Sequence, residues 1–148
     1  MRNNAFESLE QLKEMALGVP FLPKTVVIHV TRVIPTRARE NVLGNVFTAI
    51  GSISESDKST VWVQFFDEWA LGASFVEAGD KVILTNFAAI PTHESEDQRL
   101  LITPHGTGAV LRVHQEDENG TMEITVTPQS FESPAIRKVA YTETAFIY

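Results

Sequence analysis

Cysteine is absent from this 148-residue sequence, and so is any apolar run of the roughly 18 residues that a transmembrane helix needs. Without cysteine the chain forms no disulfide and no thiolate metal site, which agrees with a reducing compartment. Arg2 is not followed by the apolar segment of a secretory signal peptide. These absences lead us to expect a folded protein inside the cell.

Positive charge is also scarce, because 12 Lys and Arg residues stand against 19 Asp and Glu residues, a net charge of −7. Nucleic-acid-binding domains are usually basic, so this balance counts against that class. The charges are segregated, however: residues 15–39 contain four cations and no acid, whereas residues 114–123 contain four acids and no Lys or Arg. The cluster of Arg32, Arg37 and Arg39 therefore contacts phosphates or a protein partner, or it is an ordinary solvated loop.

Motifs for catalysis are missing as well. The four histidines have no metal-ligand spacing. Residues 106–108 (Gly-Thr-Gly) lack the lysine and the helix of a phosphate-binding loop, and there is no Gly-x-Ser-x-Gly motif. We therefore predict a protein that is not an enzyme and that has neither a metal site nor a cofactor.

The clearest pattern in the chain is the alternation over residues 60–66. Val61, Val63 and Phe65 fall on one face of a predicted strand and indicate a core. The opposite face carries Trp62 and Phe66, two aromatic side chains that are either covered by another layer or used to bind a ligand. Both readings remain open from the sequence.

The rest of the chain has the pattern of a single all-β domain. A helix over residues 5–17, starting at Asn4 and Glu7, precedes strands at 25–34, 44–53, 60–66, 81–89, 99–103, 109–115 and 121–127. Pro35 is predicted to end the first of these strands, and Gly51 to bend the second. We divide this single domain into an N-terminal helix in residues 1–20, a barrel core in 44–114 and an apolar extension in 115–148. The position of the extension relative to the core does not follow from the sequence.

Three segments in order resemble the oligonucleotide/oligosaccharide-binding (OB) fold, as seen in telomere-end-binding and replication-protein-A-like domains. Residues 61–68 (Val-Trp-Val-Gln-Phe-Phe-Asp-Glu) resemble its second strand, residues 79–84 (Gly-Asp-Lys-Val-Ile-Leu) the start of its third, and residues 108–113 (Gly-Ala-Val-Leu-Arg-Val) its closing strand. Gly51 takes the place where the first strand bends. The resemblance covers about half of the chain and implies a five-stranded Greek-key OB barrel with additional terminal strands and an N-terminal helix.

The resemblance also implies a ligand face on the second and third strands, flanked by two loops. Aromatic side chains there stack on bases while Lys and Arg follow the phosphates. The residues assigned to nucleic-acid binding in this way are Trp62, Gln64, Phe66, Lys58, Lys81, Thr85, Arg99, His105 and Arg112.

Two functions follow from the resemblance as expectations. The first is binding of single-stranded nucleic acid, namely DNA, within a nuclear telomere-end or replication and repair complex. The second is an OB domain that assembles such a complex through protein contacts without binding nucleic acid itself. Overall acidity favours the second function, whereas Trp62, Phe66 and the arginine cluster favour the first.

Overall fold

The structure is a computed structural model, and it describes residues 8–16, 19–40, 42–54, 59–91 and 100–139. This part of the chain contains eight strands and two short helices, so the predicted all-β class is confirmed. In chain order the elements are α1 (Leu9–Ala16), β1 (Leu22–Ala38), β2 (Asn45–Ser52), β3 (Thr60–Phe66), α2 (Glu68–Ala73), β4 (Lys81–Pro91), β5 (Leu100–Pro104), β6 (Val110–Asp117), β7 (Gly120–Val126) and β8 (Ala135–Val139).

All eight strands join one sheet in the order β1-β2-β3-β5-β4-β6-β7-β8. β1 also pairs with β4, so that β1, β2, β3, β5 and β4 close into a ring of five strands. The β3–β5 pairing is parallel and the other pairings are antiparallel. β6, β7 and β8 continue outward from β4 as an antiparallel extension.

The five strands of the ring are not the five that the sequence predicted. The ring includes β1, which lies before the predicted core of residues 44–114, and it excludes β6, which lies within that core. β4 explains the difference, because its first half pairs with β1 on one edge and β6 on the other, while its second half pairs with β5. Alternation identifies strands, but it does not identify which strands are neighbours.

β1 is longer than predicted and continues through Pro35 instead of ending there. Proline cannot donate a hydrogen bond to a neighbouring strand, so it is tolerated where the pairing is irregular. The register of β1 shifts between Ile34 and Arg37, around Pro35, and between Leu22 and Thr25, around Pro23. Both prolines therefore lie at irregularities in a continuous strand.

The core lies inside the ring and continues under β6 and β7. Val61, Val63 and Phe65 are fully buried in it, which confirms the predicted inner face of β3. Leu111 and Val113 of β6 are buried in the same cluster. Burying an aliphatic or aromatic side chain of this size contributes roughly 1.5–3 kcal/mol, so this alternation specifies which side of each strand faces inward.

α1 supplies Leu9, Leu12 and Ala16 to the core and begins after Ser8, whose Oγ accepts a hydrogen bond from the Gln11 backbone N–H at 3.2 Å. Asn4 and Glu7, the predicted start of this helix, lie outside the described residues. No helix in the described part of the chain has the length and apolar character that crossing a bilayer requires.

Candidate nucleic-acid interface

The outer sides of β1, β2 and β3 form one surface, which we call the β1–β3 face. Strand register arranges its nine side chains in three rows across the strands. The rows are Arg32–Ile50–Trp62, Ile34–Thr48–Gln64 and Arg37–Val46–Phe66. The three side chains from β2, Val46, Thr48 and Ile50, are buried, so the accessible part of this face comes from β1 and β3. The nine residues include two arginines and two aromatic residues but no acid, so the face is locally positive on an acidic protein.

The predicted residues Trp62, Gln64 and Phe66 all lie on this face, and each is half-buried. Trp62 lies opposite Ile50 of β2 and, on its other side, opposite Leu101 of β5. Ile50 is only 2% exposed. Aliphatic neighbours on both sides support the indole ring, which keeps part of its surface accessible for stacking.

Phe66 lies beneath an arginine side chain at the end of β3. The Arg39 guanidinium carbon is 4.5 Å from the centre of the Phe66 ring, which is a cation–π contact. A pocket of about 390 Å³ opens here, lined in part by Arg37, Glu40 and Val46. A planar ring and two guanidinium groups thus meet at one end of the β1–β3 face, a combination that can contact both a base and a phosphate.

In the middle row, the Thr48 side chain is buried at 1% exposure, and among the described residues its Oγ has no hydrogen-bond partner. A buried hydroxyl without a partner costs roughly 1–3 kcal/mol of stability. We expect Thr48→Val to raise the free energy of unfolding by about 1 kcal/mol, measured by urea denaturation.

Thr25→Val is the matched control, because the Thr25 and Thr85 hydroxyls bond to each other at 2.9 Å. That substitution should lower the free energy of unfolding by about 1 kcal/mol. Equal losses for the two variants would contradict an unsatisfied Thr48 hydroxyl.

Three other predicted residues lie on a different part of the sheet. Lys81 and Thr85 of β4 were predicted to share a face with Trp62, and Arg112 of β6 was predicted to lie on a strand that flanks the second binding loop. The row through Trp62 and Leu101 of β5 meets β4 at Ile90, so Lys81 and Thr85 lie further along that strand. β5 also separates β3 from β4, so the predicted adjacency of residues 60–66 and 81–89 is wrong. Lys81 instead lies opposite His29 on one side and His114 on the other.

His105, predicted to line a binding loop, lies in the turn between β5 and β6. Its ring stacks on that of Phe21, with 4.7 Å between the ring centres and 13° between the planes. Lys58 and Arg99 fall outside the described residues, so their assignment to the interface stays a prediction.

A charge network on β6, β7 and β8, in which His114 and Glu123 are buried and Arg137 is exposed, was missed by the sequence reasoning. Glu123 accepts hydrogen bonds from His114 Nε2 at 2.9 Å and from Arg137 Nη2 at 3.2 Å. Burial opposes ionisation of Glu123, but the hydrogen bonds from His114 and Arg137 outweigh it and lower the pKa of this carboxyl. Because the partners come from three strands, only their register could have revealed the network.

Lys81 lies beside this network, and burial lowers the pKa of its ammonium group while the nearby Glu116 carboxylate opposes that change. We interpret Lys81 and the neighbouring charge network as structural, because their positive and negative charges lie close to each other within the sheet. No cluster of three or more His, Asp or Glu side chains suited to a metal ion occurs in the described ranges. Searches against family models, curated proteins and solved structures found no significant match to this chain.

Proposed function

We propose that this chain is an OB-fold domain that binds single-stranded DNA on the β1–β3 face, in a nuclear telomere-end or replication and repair complex. Binding would combine stacking of bases on Trp62 and Phe66 with phosphate contacts from arginines, and it would involve no covalent chemistry. The observation that carries the proposal is the register that places Trp62, Gln64 and Phe66 on the same side of the sheet as Arg32 and Arg37, with β2 between them.

The ring supports the OB part of the proposal. OB domains are built on five strands, and ligands bind on the second and third strands between the loop joining strands one and two and the loop joining strands four and five. Counted along the ring, the second and third strands are β2 and β3. The first loop then follows β1 and begins at Arg39. The second is expected between β4 and β5, where residues 92–99, including Arg99, lie outside the described residues.

Charge supports the nucleic-acid part. Arg32 and Arg37 are exposed, and Arg39 is half-buried against Phe66. Their positive potential is local, so it acts at short range even though the whole chain carries a charge of −7. Gln64 lies between the two aromatic residues and can hydrogen-bond to a base edge.

Tryptophan fluorescence of a Trp69→Phe variant provides the test, because it leaves Trp62 as the only tryptophan. Trp69 packs on Phe65 and, edge to face, on Phe131, so it reports on the interior instead. We expect quenching on addition of a mixed-sequence single-stranded oligonucleotide at low salt. If Arg32, Arg37 and Arg39 all contact phosphates, the logarithm of the association constant should fall with the logarithm of the salt concentration with a slope of about −2.

A duplex of the same sequence is the matched control, because its bases are paired and unavailable for stacking. We expect the duplex to quench Trp62 much less than the single strand. Absence of quenching and of binding at low salt for several single-stranded sequences would remove the nucleic-acid function and leave the OB proposal standing.

The second candidate function is protein assembly without nucleic acid. A pocket of about 470 Å³ lined by Glu77, Glu116 and Asp117, among others, gives the protein an acidic surface suited to a basic partner. This second function is supported if oligonucleotides do not bind and the protein instead elutes together with another protein in size-exclusion chromatography.

A further inference from the structure

The sheet ends at β8, the last strand of the sheet order among the described residues. β8 pairs with β7 on one side. Ile136 and Lys138 both lie on the exposed surface of β8, and Ile136 is 65% exposed. A strand at the end of a sheet presents backbone groups along its outer edge, and such an edge is a common docking site for an extended peptide.

An apolar groove of about 640 Å³ lies beside this strand. Its apolar lining comes from α2, the segment after it, β7, β8 and the turn before β8, namely Leu71, Phe75, Ile124, Phe131, Pro134 and Ile136. Leu71 is 60% exposed, so large aliphatic side chains on both α2 and β8 remain in contact with solvent. A bound apolar side chain would cover these exposed aliphatic groups.

Charge indicates which kind of peptide fits. β8 contains Arg137 and Lys138 and no acid, whereas Glu132, in the turn before β8, is the one acid among the described residues that line the groove. Successive side chains of a strand point to opposite faces, so Lys138 lies on the same face as Ile136, two residues away, whereas Arg137 reaches Glu123 on the other face. A second copy of β8 paired antiparallel about its middle residue would bring two Arg137 side chains opposite each other, which is destabilising.

We propose that β8 and this groove bind an extended peptide of another protein in which an apolar residue and an acid are separated by one residue. The peptide adds a strand to the edge of β8, its apolar side chain enters the groove beside Ile136, and its acid pairs with Lys138. This site uses neither the β1–β3 face nor nucleic acid, so its failure would leave the proposed function untouched.

The test is fluorescence anisotropy with a labelled peptide of the repeating sequence Thr-Val-Thr-Glu added to the full chain. We expect Lys138→Glu to weaken binding of this peptide by about fivefold, the upper range for one cross-strand ion pair. The same variant should bind the Thr-Val-Thr-Lys repeat more tightly than the unaltered protein does. Ile136→Asp should weaken both peptides, because it removes the apolar rim of the groove.

Two controls define the outcome. Leu43→Ser alters a side chain that is 96% exposed and does not line the groove, and it should leave peptide binding unchanged. A peptide N-methylated at alternate residues cannot donate the strand hydrogen bonds and should not bind. The proposal is overturned if neither labelled peptide binds, if the N-methylated peptide binds equally well, or if binding requires removal of residues 140–148.

Discussion

Replacing Trp62 with alanine is expected to weaken binding of single-stranded DNA by about 5- to 150-fold, because one stacked base contributes roughly 1–3 kcal/mol. Trp62 is the largest side chain on the β1–β3 face, and Ile50 and Leu101 support it from either side. The measurement is anisotropy of a labelled oligonucleotide at fixed low salt. Trp62→Phe keeps a smaller ring at this position and should recover part of the lost affinity.

The Arg112→Gln variant tests whether nucleic acid binds on the β1–β3 face or near Lys81, Thr85 and Arg112 on β4 and β6. Arg112 lies opposite Ile83 and Thr125, away from Trp62, so its loss should change affinity by less than about twofold. The opposite result, a strong effect of Arg112→Gln with none from Trp62→Ala, would place the nucleic acid on the β4–β6 side. Urea denaturation of each variant checks that the loss is not caused by unfolding.

Gly51→Ala is expected to lower the free energy of unfolding by about 3 kcal/mol, at the upper end of the usual cost of overpacking. A Cβ built at Gly51 would approach the His29 carbonyl oxygen to 2.1 Å and the Ile28 Cγ2 to 2.9 Å. The first of these atoms belongs to the backbone of β1, so β1 and β2 would have to separate. We expect the melting temperature to fall by about 10 °C.

Gly108→Ala is the control for this prediction. A Cβ at Gly108 would meet first the Asn86 side-chain nitrogen, at 3.3 Å, which donates a 2.8 Å hydrogen bond to the Gly108 carbonyl. A small shift of this side chain relieves the contact, so the loss should stay below about 1 kcal/mol. Similar stabilities for the Gly51 and Gly108 variants would show that the close approach of β1 to Gly51 does not hold in solution.

Local pattern predicted a good part of the fold. The alternation over residues 60–66 gave the bounds of β3 and its inner face, because a strand with one buried side must place its apolar residues at every second position. Between the predicted strands at 109–115 and 121–127, the Asn119-Gly120 pair is a sequence signal for a hairpin turn, and Gly120 has a positive φ of 126° there. Bulges at Pro23 and Pro35 were not predicted, since neighbouring strands decide whether a proline ends a strand.

The candidate site was predicted only in part for the same reason. Trp62, Gln64 and Phe66 follow from a single strand, and their common face needs no knowledge of neighbours. Lys81 and Thr85 were assigned to that face by assuming that β3 and β4 are adjacent, an assumption that the sheet order β3-β5-β4 excludes. The Arg39–Phe66 contact joins residues 27 positions apart, and no sequence period connects them.

By itself, then, the sequence determined the all-β class, most strand positions and the side of each strand that faces the core, because these depend on alternation within a few residues. The tertiary structure alone decided that β1 closes the ring and that β5 separates β3 from β4. It thereby decided that the arginines of β1 share one side of the sheet with the aromatic residues of β3, across the intervening β2. Pairing between distant strands depends on backbone hydrogen bonds and ring closure, which carry no local signature in the side chains.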